Sequence, residues 1–155
     1  MEAARPATAD DIATLAAIAG SALAGLGDQR GGELFTRREA RAQPSDQDLR
    51  VALEDSERHL VVGTYDDVPF GYGLVRRERL RDGGLLAVLE DFVVDPDARG
   101  VGIGEAIMDA VLVWATDQGC IGIDAMALPG DRETKNFFES FGLKARALVV
   151  HRDLR

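Results

Sequence analysis

The sequence predicts an α/β domain built on a mixed sheet, with antiparallel strands first and a β-α-β-α-β unit after them. Three observations lead there. The strand-like runs His59–Tyr65, Pro69–Arg77 and Leu85–Val94 are separated by the short turn sequences Asp66-Asp67 and Asp82-Gly83-Gly84, which join neighbours antiparallel. An amphipathic helix with Ile103, Ile107, Ala110, Val111 and Trp114 at helical spacing then leads to a second apolar run, Cys120–Leu128, and a helix between two strands implies a parallel pair. With 155 residues, 46% of them apolar and 29% charged, the chain suits one globular domain, expected to span residues 1–155.

Taken in order, Thr8 caps a first helix whose opening turn carries Asp10 and Asp11, and Ile12, Leu15, Ala16 and Ala19 share a face. That helix is expected to run to about Gly25 or Gly27. Gly27 to Pro44 forms a polar connection around Leu34-Phe35 with room for a short helix. Pro44-Ser45 followed by Asp48 starts a second helix that buries Leu49 and Leu53. The three strands then follow as a meander. Beyond the long helix, which Gly119 stops, come the strand Cys120–Leu128, a break at Pro129-Gly130, and a helix capped by Asp131 that reaches Ser140. Gly142 ends it, and Leu143 to His151 reads as the last strand.

A net charge of −9 argues against a nucleic-acid surface and favours a cationic substrate such as an amine. Cys120 is the sole cysteine, so no internal disulfide forms and a reducing cytoplasm is the expected compartment. It reads as a small core residue. The Ala-rich stretch from Ile12 to Leu26 follows acids rather than a basic region, and no apolar run is expected to approach the ~18 residues of a membrane span. His59 and His151 have no companions at ligand spacing, so no metal site is expected.

The richest stretch runs from Leu89 through Glu90, Asp91, Phe92, Val93, Val94, Asp95 and Pro96 to Arg99-Gly100-Val101-Gly102-Ile103-Gly104. Here a strand meets a glycine loop and a helix start. Glycines let backbone approach a ligand, Arg99 adds a cation, and the free N–H groups of the helix beginning near Ile103 point at whatever binds, so phosphate is the natural guest. Two familiar loops are excluded by spacing: a dinucleotide fingerprint would need glycine at Glu105 or Ile107, and a Walker loop would need Gly-Lys-Ser/Thr. From Phe92 to Gly104 the wording resembles the R-G-x-G-x-G signature of the GNAT superfamily of acetyl-CoA-dependent N-acetyltransferases. A glycine-rich turn without a ligand is the plain alternative.

The resemblance implies acetyl-CoA as donor. The backbone of Phe92, Val93 and Val94 would pair with the pantetheine arm, Gly100, Val101, Gly102, Ile103 and Gly104 would hold the pyrophosphate, and Arg99 would add charge at the coenzyme. A base is needed to take the amine's proton. Glu90 and Asp91 are candidates; strand alternation places Glu90 with Phe92 and Val94 and Asp91 opposite, so one of the two faces the cleft. Glu90 is preferred, and the alternative is that both only brace the strand. Asp124 is third, by similarity to ribosomal-protein N-terminal acetyltransferases. Gly130 to Leu143 resembles the last GNAT motif, with Asp131 where asparagine is usual and Phe138 where many members carry a tyrosine acid; Lys135 and Asn136 are placed to reach the coenzyme, with plain solvation as the alternative. The implied reaction is direct attack of a primary amine, on a small molecule or a protein, with a non-catalytic acetyl-CoA-binding module as the rival. A homodimer through Leu143 to Val150 is expected, because a terminal apolar strand leaves an edge to cover. Residues 20 to 58, which would shape the acceptor pocket, carry no usable pattern.

Overall fold

Period-two apolar residues give this chain a sheet with two greasy faces, and helices cover both. In a computed structural model that describes residues 1–155, the strands lie in the order β1 (Glu2–Pro6), β2 (Arg58–Tyr65), β3 (Val68–Arg79), β4 (Leu85–Val94) and β5 (Ile123–Asp124). Neighbours are antiparallel except β4 and β5, which run parallel. The helices are α1 (Ile12–Leu23), α2 (Gly32–Leu34), α3 (Asp46–Glu54), α4 (Ile103–Asp117) and α5 (Arg132–Ser140). This is the mixed α/β architecture that the sequence predicts.

Alternation divides the core in two. Leu60, Val62, Tyr72 and Leu74 face α1 and α3, meeting Ile12, Leu15 and Leu49. Val61, Val75, Ala87 and Leu89 face α4, meeting Ile103, Ile107, Met108 and Val111. Helix α4 seats closely because two glycines floor its groove: a Cβ at Gly63 would lie 2.6 Å from Ile107 Cδ1, and one at Gly73 2.8 Å from Ile107 Cγ2. Gly63→Ala is therefore expected to cost about 1–3 kcal/mol through overpacking. A urea midpoint equal to that of the unaltered protein would contradict this seating.

Strand β1 has no signal in the sequence, because Glu-Ala-Ala-Arg-Pro lacks β-branched residues. Pairing with β2, from Glu2 opposite Tyr65 to Pro6 opposite Val61, holds it. Thr8 precedes a 3-10 turn, Ala9–Asp11, rather than α1 itself. Buried Asp11 accepts the Thr8 N–H at 2.8 Å and the Arg5 guanidinium at 2.8 and 2.9 Å. The Arg5 hydrogen bond, against the opposing effect of burial, holds the Asp11 carboxyl below its usual value of 3.8. A carboxylate depressed in the folded state adds stability above that value and loses it as pH falls through the folded-state pKa. Asp11→Asn should accordingly flatten the acid side of the stability curve; an unchanged slope would exclude this pair as its source.

Four further expectations are corrected. The segment Ala9–Asp28 is long and apolar enough to cross a membrane by length and composition, contrary to the expectation that no run approaches that size, although its Ile12, Leu15, Ala16 and Ala19 pack into the core. Ser45 is buried before α3, but its hydroxyl caps nothing and has no partner. The expected strand Cys120–Leu128 shrinks to Ile123–Asp124, paired only with Ala87 and Val88, since glycine at 119, 122 and 130 and proline at 129 disfavour a longer ladder. So short an edge offers no template for Leu143 to His151. That run is not a strand: residues beyond Leu143 make no backbone–backbone hydrogen bonds, and Leu148, Val149 and Val150 are 85%, 82% and 90% exposed. The last β of the expected β-α-β-α-β unit is thus outside the sheet.

Candidate active site

Strand β4 is irregular at its two acids. Asp91 pairs with Leu74 and Leu89 with Val75, which leaves Glu90 opposite no residue of β3. This extra residue is a β-bulge, and it resets the alternation. Glu90 and Asp91 therefore both lie on the α1/α3 face, while Phe92 and Val94 pack toward α4. The expectations that Glu90 shares a face with Phe92 and Val94, and that only one carboxylate faces the cleft, are corrected by the bulge.

One side chain grips both acids. Arg41, from the connection before α3, donates Nε to Asp91 Oδ2 at 3.1 Å and Nη2 to Asp91 Oδ1 at 3.0 Å and to Glu90 Oε2 at 2.7 Å. Tyr72 Oη, on β3, donates to Asp91 Oδ2 at 2.8 Å. Both oxygens of Asp91 are thereby engaged. Glu90 Oε1 differs: it is buried, lies 3.2 Å from Arg76 Nε and 3.6 Å from Arg58 Nε, and is aligned for a hydrogen bond with neither. Burial pulls the Arg41 guanidinium down, but hydrogen bonds and charge from Asp91 and then Glu90 outweigh it and hold Arg41 protonated. Burial, then the Asp91 charge, pushes the Tyr72 phenol well above its ordinary range, so it serves as a neutral donor.

The glycine loop lies past the end of the same strand. Gly100 and Gly102 take φ of 82° and 89°, a left-handed backbone that only glycine adopts freely. No N–H from Gly100 to Glu105 donates to a protein acceptor, as befits a turn that opens α4 at Ile103. From Leu89 onward β4 has β3 on one side and no strand on the other, because β5 pairs only with Ala87 and Val88. Free backbone along β4 followed by a cradle of N–H groups fits an extended polar ligand that ends in phosphates. Val101 is exposed, and Ile103 offers its N–H while its side chain is buried. Arg99 is exposed at the loop, 3.4 Å from Glu133.

The remaining candidates have other attachments. Asp131 caps α5, accepting the Thr134 N–H at 3.1 Å and its hydroxyl at 2.7 Å. Phe138 is buried among aromatic rings, edge-on to Phe92 and Phe137 at 5.8 and 5.9 Å. Lys135 is exposed, 3.8 Å from Glu139. Asp124 sits beside Val88 in the parallel ladder, and its carboxyl is held below the usual range by hydrogen bonds from Arg146. A cavity of about 200 Å³ under Leu112, Ala115, Cys120 and Ile123 is near the far end of α4 from the glycine loop and takes no part. Arg41, Tyr72, Arg58 and Arg76 were not among the sequence candidates. Tyr72 is visible in the sequence only as an apolar strand position, and Arg41 is one arginine of several in a connection without periodicity.

Residues 29–143 match the model of the acetyltransferase (GNAT) family. The chain belongs to that family. A tetramutant of the BH1408 protein from Bacillus halodurans superimposes with a TM-score of 0.83 at 20% identity, covering 97% of this chain and 99% of the other. Aminoglycoside N-acetyltransferase AAC(6')-Iy, bound to a bisubstrate analogue, gives 0.77 at 15% identity over 100% and 99% of the two chains. Glucosamine-6-phosphate N-acetyltransferase from Arabidopsis thaliana gives 0.69 at 19% identity over 100% and 99%. No curated protein sequence matches the chain. In this GNAT chain the bulged acids lie on the unpaired half of β4 and the glycine loop follows it.

Proposed function

We propose that the protein is an acetyl-CoA-dependent N-acetyltransferase that modifies a primary amine by direct attack. The observation that carries this reading is the placement, along the unpaired half of one strand, of a carboxylate oxygen free of hydrogen bonds and a loop of unpaired N–H groups. Acetyl-CoA brings the acetyl group already activated as a thioester. The N–H groups of Gly100 to Glu105 bind pyrophosphate, and backbone at Phe92 to Val94 holds the pantetheine arm. Glu90, through Oε1, receives the amine's proton as the nitrogen–carbon bond forms and the carbon–sulfur bond breaks, with the electron pair departing on sulfur. The oxygens of Asp91 are taken by Arg41 and Tyr72 and those of Asp124 by Arg146, which leaves neither acid an unbonded oxygen for the proton. A free thiol has a reference pKa of ~8.5, so the thiolate leaves near neutral pH without the hydroxyl that Phe138 lacks.

The AAC(6')-Iy and glucosamine-6-phosphate enzymes are named for small-molecule amines, which supports such an acceptor here over a protein amine. The non-catalytic reading draws support from the three guanidinium groups around Glu90. Glucosamine 6-phosphate, neamine, free lysine and a tetrapeptide with a free N-terminus, each incubated with acetyl-CoA and read by product mass, separate these readings. An acetylated small amine is expected. Coenzyme binding without any acetylated product would favour the non-catalytic module. Free Cys120 suits a cytoplasmic setting. Exposed Leu148 to Val150 suit burial against a second copy, and a monomer mass by light scattering would remove the homodimer from the proposal.

A further inference from the structure

Arg41 is the one side chain that ties the acceptor-side connection to both bulged acids. Asp91 is 9% exposed, and a carboxylate so placed needs a cation with several donors. The planar guanidinium meets that need twice over, with two bonds to Asp91 and a third to Glu90. Because Arg41 takes Oε2 of Glu90, Oε1 is left turned away from the fork. Tyr72 completes the shell of Asp91 from the neighbouring strand. Resting on the acetyltransferase reading, we propose that Arg41 is a positioning residue: its fork fixes Glu90 by Oε2, leaves Oε1 without a hydrogen bond, and docks the connection between Gly27 and Pro44 beside the acids.

The two tasks separate chemically. Lysine keeps the charge that Asp91 requires but lacks the planar fork, so Arg41→Lys should fold while losing simultaneous grip on both acids. Steady-state thiol release with whichever of glucosamine 6-phosphate, neamine, lysine or the tetrapeptide has the highest kcat/KM provides the rate. Arg41→Lys is expected to lower kcat at least tenfold, with acetyl-CoA affinity by calorimetry within twofold of the unaltered protein. Arg41→Ala combined with Asp91→Asn, which removes the Asp91 charge along with its cation and keeps Arg58 and Arg76 near Glu90, is expected to be equally slow and to regain rate with added ethylguanidinium but not with ethylammonium. A purely structural arginine would not confer that selectivity for the planar cation. Amide hydrogen exchange across residues 27–44 should quicken in both variants, a result that requires no turnover. Unchanged kcat in Arg41→Lys while Glu90→Gln is slow would overturn the role of Arg41 and leave the acetyltransferase reading standing. If Glu90→Gln were as fast as the unaltered enzyme, the base assignment itself would fail. Were none of the four amines acetylated, unchanged exchange over residues 27–44 would still overturn the docking role.

Discussion

Glu90→Gln is expected to reduce kcat/KM by ~10²–10⁴-fold, the range for loss of a general base. The amide keeps the size of the side chain and can still accept from Arg41, so the connection stays docked and acetyl-CoA affinity is unchanged. What disappears is the proton acceptor at Oε1. Asp91→Asn provides the contrast: both oxygens of Asp91 are held by Arg41 and Tyr72, so its loss should reduce stability more than it reduces the chemical step. Turnover in Glu90→Gln equal to that of the unaltered protein would transfer proton removal to Asp91, Asp124 or water.

Gly102→Val should weaken acetyl-CoA binding at least ~100-fold, or about 2.7 kcal/mol. At φ 89° a β-branched residue is an outlier, and a Cβ there would lie 3.0 Å from Glu2 Cγ on β1. The loop must shift, and its N–H groups leave their common aim. Fold stability should fall by the ~1–2 kcal/mol typical of a left-handed residue bearing a Cβ. Gly100→Ala separates strain from cradle, because at φ 82° its added Cβ meets nothing within 4 Å. It should bear the strain and lose far less affinity. Equal losses in the two variants, measured by calorimetry on folded protein, would point to backbone strain alone.

The helices and the meander were legible because their signals are local: periodicity along Ile103 to Trp114, turn chemistry at Asp66-Asp67, and glycine after α4. The glycine loop was legible for the same reason. Strand β1 was hidden since its residues have no intrinsic preference for a strand and acquire one from β2. The bulge at Glu90 was equally hidden, because an extra residue in a ladder is defined by its partner and leaves no mark on the strand's own alternation. Alternation therefore assigned Glu90 to the wrong face. Arg41 lies about fifty positions from the acids it holds, and no spacing rule connects them. At the C-terminal end the apolar run Leu143 to Val150 has strand propensity, but a strand also needs a partner, and the two-residue β5 does not supply one.

Acetyl transfer to an amine is tested most directly by following thiol release from acetyl-CoA with and without an acceptor. The account predicts slow release with acetyl-CoA alone, a saturable rise when a small primary amine is added, and an acetylated amine formed in equal amount. Release that ignored every amine, or coenzyme bound without release, would contradict it.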